Sequence, residues 1–155
     1  MNSEQLRWLR AELIRYRDAT PYAITRQHAD ATLQLLDRQT EPWRRSVAVG
    51  HLTASAWVID RTGHYAAMIH HRKLDRWLQP GGHIDDTDLS WRAAAQRELT
   101  EETGLDRFVP LDDDGQLFDV DVHAIPARVD EPAHLHHDLR FLFVADVDPG
   151  SGETV

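Results

Sequence analysis

Gly81-Gly82-His83 opens, and Arg97-Glu98-Leu99-Thr100-Glu101-Glu102-Thr103-Gly104-Leu105 closes, the stretch on which the reading of this chain turns. Ser90 or Asp88 can cap a helix here, Ala93-Ala94-Ala95 favours one, and Gly104 ends it, so a helix is predicted over 90–103. Glu98, Glu101 and Glu102 then crowd its last turns. That end of a helix carries partial negative charge, and each carboxylate there costs about 0.3–1 kcal/mol. Glu98 and Glu102 are also like charges four residues apart, which adds roughly 0.2–0.5 kcal/mol. A cation would relieve both penalties. Hard divalent ions such as Mg²⁺ take oxygen ligands and bridge a few carboxylates to substrate phosphates.

Working outward, the chain before this stretch begins with two helical patterns. The first covers about 3–18, with Ser3 as its expected N-cap and Leu6, Leu9, Leu13 and Ile14 on one stripe. Thr20-Pro21 breaks it, and a second helix follows over about 25–38, packing through Ala29, Leu33, Leu35 and Leu36. Residues 1–42 therefore read as a helical extension used for packing or dimerisation. From His51 the period changes to that of strands. A hairpin is expected from 52–59 and 64–71, joined by Asp60-Arg61-Thr62-Gly63, and Trp77-Leu78 makes a short strand that Pro80-Gly81-Gly82 stops. Two more strands are expected over 116–125 and 134–147. Asp112-Asp113-Asp114-Gly115 lacks the ligand spacing of a calcium loop, since Pro110 occupies the first ligand position, and it reads as a turn.

Alternation on the late strands puts Asp119, Asp121 and His123 on one face, and His134, His136, Asp138 and Arg140 on one face of the other. If the two strands pair, these polar faces meet. They can line a substrate cleft, form a solvated sheet face, or bind a transition metal through the histidines, although that last use needs a third donor. His70-His71-Arg72-Lys73 and Arg76 form a basic knot that reads equally as a phosphate contact or as a solvated turn. Trp57, Trp77 and Trp91 are expected in the core.

Composition narrows the function. In 155 residues there are 26 acidic side chains against 17 Lys and Arg, a net charge of −9, which disfavours non-specific nucleic-acid binding and anionic membranes, and neither a membrane nor sequence-specific nucleic acid is an expected partner. It would also repel a polyphosphate unless metal ions intervene. There is no cysteine, so disulfides, thiolate metal sites and cysteine nucleophiles are excluded. With neither an apolar signal core nor a membrane-length apolar run, a cytoplasmic protein of one domain is expected.

Residues 81–105 resemble the Nudix box, whose pattern is Gly-x5-Glu-x7-Arg-Glu-U-x-Glu-Glu-x-Gly-U with U a bulky aliphatic. Arg97, Glu98, Leu99, Glu101, Glu102, Gly104 and Leu105 match its second half at every fixed position. Counted from Gly82, the first half departs: Asp88 stands where the pattern has Glu, and the loop is one residue longer. The resemblance implies a Nudix-type α/β/α sandwich, an α+β fold with a mixed sheet, over 43–155. It implies that Glu98, Glu101, Glu102 and the Gly82 carbonyl hold Mg²⁺, with Mn²⁺ as the alternative, and that Arg97 orients a carboxylate. The implied activity is metal-dependent hydrolysis of the pyrophosphate bond in a nucleoside diphosphate linked to another moiety. Substrate contacts are expected from Arg72, Lys73, Arg76, Asp121, His123, His134, His136 and Asp138. The other reading is a non-catalytic nucleotide sensor, which would be expected to have lost box acids. A Nudix-type isomerase of isoprenoid diphosphates needs a cysteine and is excluded. The family's closing C-terminal segment is not evident after about residue 147, so the expectation is either a truncated form or a flank covered by a partner subunit, as in a homodimer.

Overall fold

The computed structural model describes residues 1–72, 75–111, 115–129 and 131–146. Two helices lead: α1 (Ser3–Ala19) and α2 (Ala23–Arg38). Asn2, rather than Ser3, caps α1. Its side chain accepts from the Glu4 and Gln5 N–H groups while the Gln5 side chain accepts from the Asn2 N–H, a reciprocal capping box. Leu9 and Leu13 of α1, with Ala29, Leu33 and Leu35 of α2, are buried in the same core as the sheet. Both leading helices thus pack into the core of this chain.

The sheet is built around β1 (Gly50–Asp60) and β8 (His134–Ala145), which run parallel in register from Gly50↔Leu135 to Asp60↔Ala145. The other pairings are antiparallel. β2 (Ala66–Ala67) and β5 (Gly81–His83) share the free edge of β1, and β6 (Phe108–Pro110) and β7 (Asp119–Ile125) share the free edge of β8. β3 (Ile69–His71) and β4 (Arg76–Leu78) form a separate two-stranded ribbon. α3 (Trp91–Thr103) packs on β1 and β5. This is the expected α+β fold with a mixed sheet and leading helices.

Register makes the sheet two-faced. Ala54↔Leu139, Ala56↔Phe141 and Val58↔Phe143 put one face into the apolar core. The opposite face pairs His51 with His136, Thr53 with Asp138 and Ser55 with Arg140. That face is polar, yet His51, Thr53, Ser55 and Asp138 are all buried.

Several expectations need correcting. The single strand expected over 64–71 is divided between β2 and the ribbon strand β3. Pro80-Gly81-Gly82, expected to end a strand, leads into β5, because two residues without side chains let that backbone approach β1 closely. A Cβ at Gly81 would lie 2.3 Å from Ser55 Cβ. β6 is too short to have shown a pattern. Trp91 is core as expected, but Trp77 is 59% exposed on the ribbon, its ring 5.0 Å from that of His70. The turn at 112–114, Lys73 and residues 147–155 lie outside the described residues.

The β1–β2 turn is organised by one carboxylate. Asp60 accepts hydrogen bonds from the N–H groups of Thr62, His64 and Tyr65 and from the Thr62 hydroxyl. The Thr62 hydroxyl and these backbone donors favour the charged form and hold Asp60 down to about 2. An unfolded Asp titrates near ~3.9, so this stabilisation is complete above that pH and is lost as the pH falls through about 2. Wild type should accordingly lose thermal stability between about pH 4 and 2. Asp60→Asn should be less stable at neutral pH and flatter across that window. Parallel curves for the two proteins would remove Asp60 from this role.

Candidate active site

Ser90 caps α3 by accepting from the Ala93 N–H at 3.0 Å, and Gly104 closes it in the left-handed conformation at φ 69°. Trp91, Ala94, Ala95 and Leu99 form its buried face. Glu98 and Glu102 border that face, so the helix that buries them also turns them toward β5. Glu102 Oε2 accepts from the Gly81 N–H at 2.9 Å. The Glu98 carboxylate fills the space a side chain at Gly82 would need: a Cβ there would come within 2.6–2.9 Å of its atoms. Glu101, one residue round the helix, is largely exposed.

Arg97 binds the assembly together. Its Nε and Nη2 donate to the two oxygens of Asp88, each at 3.0 Å, a bidentate pair with a carboxylate that is 5% exposed. Nη1 reaches Glu98 at 2.8 Å and Glu101 at 3.2 Å, and Nη2 also donates to the His83 carbonyl at 2.9 Å. One guanidinium thus joins the loop before α3, the end of β5 and two glutamates. The shorter Asp88, the departure from the box pattern, is the Arg97 partner. Its Oδ2 also accepts from the Asp85 N–H at 2.8 Å. Burial raises the proton affinity of Glu98; Arg97 opposes the shift, and Glu102 and Glu101 add to it. The site therefore holds more negative charge than its own cation neutralises.

The two glycines separate in their expected effects. Gly82→Ala meets the far end of a flexible side chain, so the fold should survive while Glu98 is displaced. A shift of about 1 Å in a reacting group costs roughly 10²-fold in rate. Gly81→Ala meets the Ser55 backbone and Cβ, and should mainly lower the unfolding midpoint. If Gly82→Ala has wild-type turnover, Glu98 does not act from this position.

The other expected residues fall into two groups. Arg72 and Arg76 are exposed on the β3–β4 ribbon. Asp121, His123, His134, His136 and Asp138 come together on the polar face, as the expected pairing of the late strands requires. Asp138 is heavily engaged there, accepting from Thr53 at 3.0 Å, Ser55 at 2.6 Å, Gln79 at 3.2 Å and Arg140 at 3.3 Å. Arg140 also donates to Asp119 at 2.9 Å and Asp121 at 3.0 Å.

Two histidines not singled out from the sequence join this face. His51 of β1 lies opposite His136 of β8, which lies opposite His123 of β7. His83 enters from β5. Its neighbour Gly82 faces Glu98, so successive β5 residues serve opposite sides of the sheet. Alternation of His51 with Thr53 and Ser55 was the available signal for His51; nothing local marked His83. Burial, with the neighbouring imidazoles, pushes His51 down to about 4 and His136 to about 3, so both are neutral near pH 7.

A family model described as the NUDIX domain matches residues 49–153. The chain belongs to the Nudix family. It is a Nudix pyrophosphohydrolase, and Nudix hydrolases generally use divalent metal ions. Among solved structures, the crystal structure of C. elegans Ap4A hydrolase is similar at 15% identity and a TM-score of 0.39, over 67% of this chain and 74% of that one. No protein of curated function matches the chain. Among the described residues, no helix of this Nudix protein is long and apolar enough to cross a membrane.

Proposed function

We propose that this Nudix protein is a Mg²⁺-dependent hydrolase that cleaves the pyrophosphate bond of a nucleoside diphosphate linked to another moiety. The observation that carries this is the placement of Glu98 and Glu102 against Gly82 and Gly81, with Glu98 part-buried and its charge only partly balanced by Arg97. Such a set of oxygen donors fits a hard cation, with Glu98, Glu101, Glu102 and the Gly82 carbonyl as ligands. When bound, Mg²⁺ (or Mn²⁺) supplies charge neutralisation for the diphosphate and Lewis-acid activation of the hydrolytic water. Arg97 holds Glu98 in place from one side, and the Gly81 N–H holds Glu102 from the other. Those contacts fix the carboxylates before substrate arrives, which limits the reorganisation needed during reaction.

Substrate binding is assigned to Arg72 and Arg76 on or beside the ribbon, to Lys73, and to Asp121, His123, His134, His136 and Asp138 on the polar face. Asp138 acts there through the groups it orders. A nucleotide substrate fits a cytoplasmic location, and exposed Val109 and Leu111 at the β6 edge fit the homodimer, both part of this proposal. A monodisperse monomer in light scattering at high concentration would remove the dimer.

The test is phosphatase-coupled phosphate release from ADP-ribose, nucleotide sugars, dinucleoside polyphosphates and nucleoside triphosphates, each with Mg²⁺, Mn²⁺ or EDTA. Turnover of one class, abolished by EDTA, is expected. Absence of turnover throughout, with one compound still binding by calorimetry, would replace the hydrolase with the nucleotide sensor.

A further inference from the structure

His51, His83 and His136 each present a ring nitrogen within 4.8 Å of the other two. Their ring centroids are 4.9–5.3 Å apart, and the ring of His134 lies 5.0 Å from His51 and 5.1 Å from His136. Both nitrogens of His51, Nε2 of His83 and Nε2 of His134 are buried without a hydrogen-bond partner among the described residues. Buried polar atoms are nearly always paired, so four orphans in one cluster call for a reason. The tautomer of His134 is fixed as a metal ligand's would be. Its Nδ1 donates to the Pro132 carbonyl at 2.9 Å, so its Nε2 carries the lone pair, 3.8 Å from the Glu131 carboxylate.

We propose that His51, His83 and His136, with His134 as the fourth donor, form a binding site for a borderline transition-metal ion of the Zn²⁺ class, distinct from the glutamate site. Imidazole suits Zn²⁺, Ni²⁺ and Cu²⁺, whereas Mg²⁺ prefers oxygen. A tetrahedral ion with bonds of ~2.0–2.1 Å needs ligand nitrogens about 3.4 Å apart, which small rotations of His51, His83 and His136, whose nitrogens already lie within 4.8 Å, would supply, with the His134 ring next to them. The four residues come from three strands that only the fold brings together: β1, β5 and β8. Near them, the charges of Arg45 and Glu131 act on His51 in opposite directions, and Glu131 lies 3.8 Å from His134 Nε2. Hydrogen bonding of the neighbouring His123 Nδ1 to Asp121 at 3.0 Å adds a second ordered ring beside His136. An ion here ties β5 to the central strand pair at His83, the residue after Gly81-Gly82. The site needs no part of the glutamate centre; it gives His134 and His136 to the ion rather than to substrate, and the glutamate centre can fail without it.

The experiment uses the full chain freed of metal by chelation and titrated with Co²⁺ and then Zn²⁺. One equivalent of Co²⁺ should produce the visible absorption of a tetrahedral nitrogen site, and Zn²⁺ should bleach it. Zn²⁺ at 100-fold excess over its Kd should raise the unfolding midpoint by about 5–10 °C, and Mg²⁺ should not. Glu102→Gln should keep the cobalt band. His51→Gln and His83→Gln should each weaken Zn²⁺ binding more than about 100-fold, since even loss of a ligand's hydrogen-bond partner costs about 10–100-fold. X-ray absorption of the wild-type zinc protein, which needs no variant to fold, should show imidazole scattering at ~2.0–2.1 Å. No binding by wild type, oxygen-dominated scattering, or a band lost in Glu102→Gln but kept in both histidine variants would overturn the proposal.

Discussion

Glu102→Gln should fold like wild type and lose turnover by about 10²–10⁴-fold in kcat. The substitution removes charge and little else. A glutamine oxygen can still accept from the Gly81 N–H that now meets Glu102 Oε2, so the contact between the end of α3 and β5 persists. The helix terminus gains slightly, because one carboxylate fewer opposes the partial negative charge there. The unfolding midpoint should therefore stay level or rise while activity falls, and that combination separates a working carboxylate from a structural one. Equal loss of midpoint and rate would assign Glu102 to the scaffold. Wild-type turnover would remove it from the reaction.

Arg97→Ala should be the most destabilising single change in this region. The guanidinium is bonded to Asp88, Glu98, Glu101 and the His83 carbonyl. Its removal leaves Asp88 buried with no cation. Breaking a buried pair from one side costs about 3–5 kcal/mol, chiefly through the stranded charge. In a domain of this size that corresponds to roughly 6–20 °C in the thermal midpoint. Arg97→Lys should recover only part, since an ammonium cannot make the two parallel bonds that Asp88 accepts. Replacing both members, as Arg97→Met with Asp88→Leu, should restore much of the stability but not the activity, because Glu98 still lacks its positioning bond. If Arg97→Ala melts like wild type, the network is a surface feature.

What the sequence made legible was the part whose cause is local. The α3 glutamates, their helix and its glycine stop are all set by spacing along a few turns. Arg97 as the partner of a carboxylate was expected, but that the carboxylate is Asp88 depends on the path of a loop. The polar alternation of the late strands was visible because period two is written within each strand. Neither the place of His51 opposite His136 nor the entry of His83 from a neighbouring strand is written within any strand, since both follow from which strands adjoin. β5 escaped notice because glycine carries no pattern, and closeness of approach shows only in three dimensions. Trp77 misled for the opposite reason: its size suggested burial, while the ribbon that carries it lies at the surface.

The parallel pairing of β1 with β8 has a consequence for how the molecule forms. Partners such as Thr53 and Asp138 are 85 residues apart. Contacts that distant are entropically expensive to close and slow folding relative to local ones. On the ribosome, β1 has no central partner until the chain has grown past His134, and its long apolar face must wait until then. Helices α1 to α3 can form early, but the sheet that gives them a surface is completed last. Nascent chains of this protein should therefore depend on shielding of β1 until β8 emerges, and their sensitivity to aggregation should end abruptly at that length.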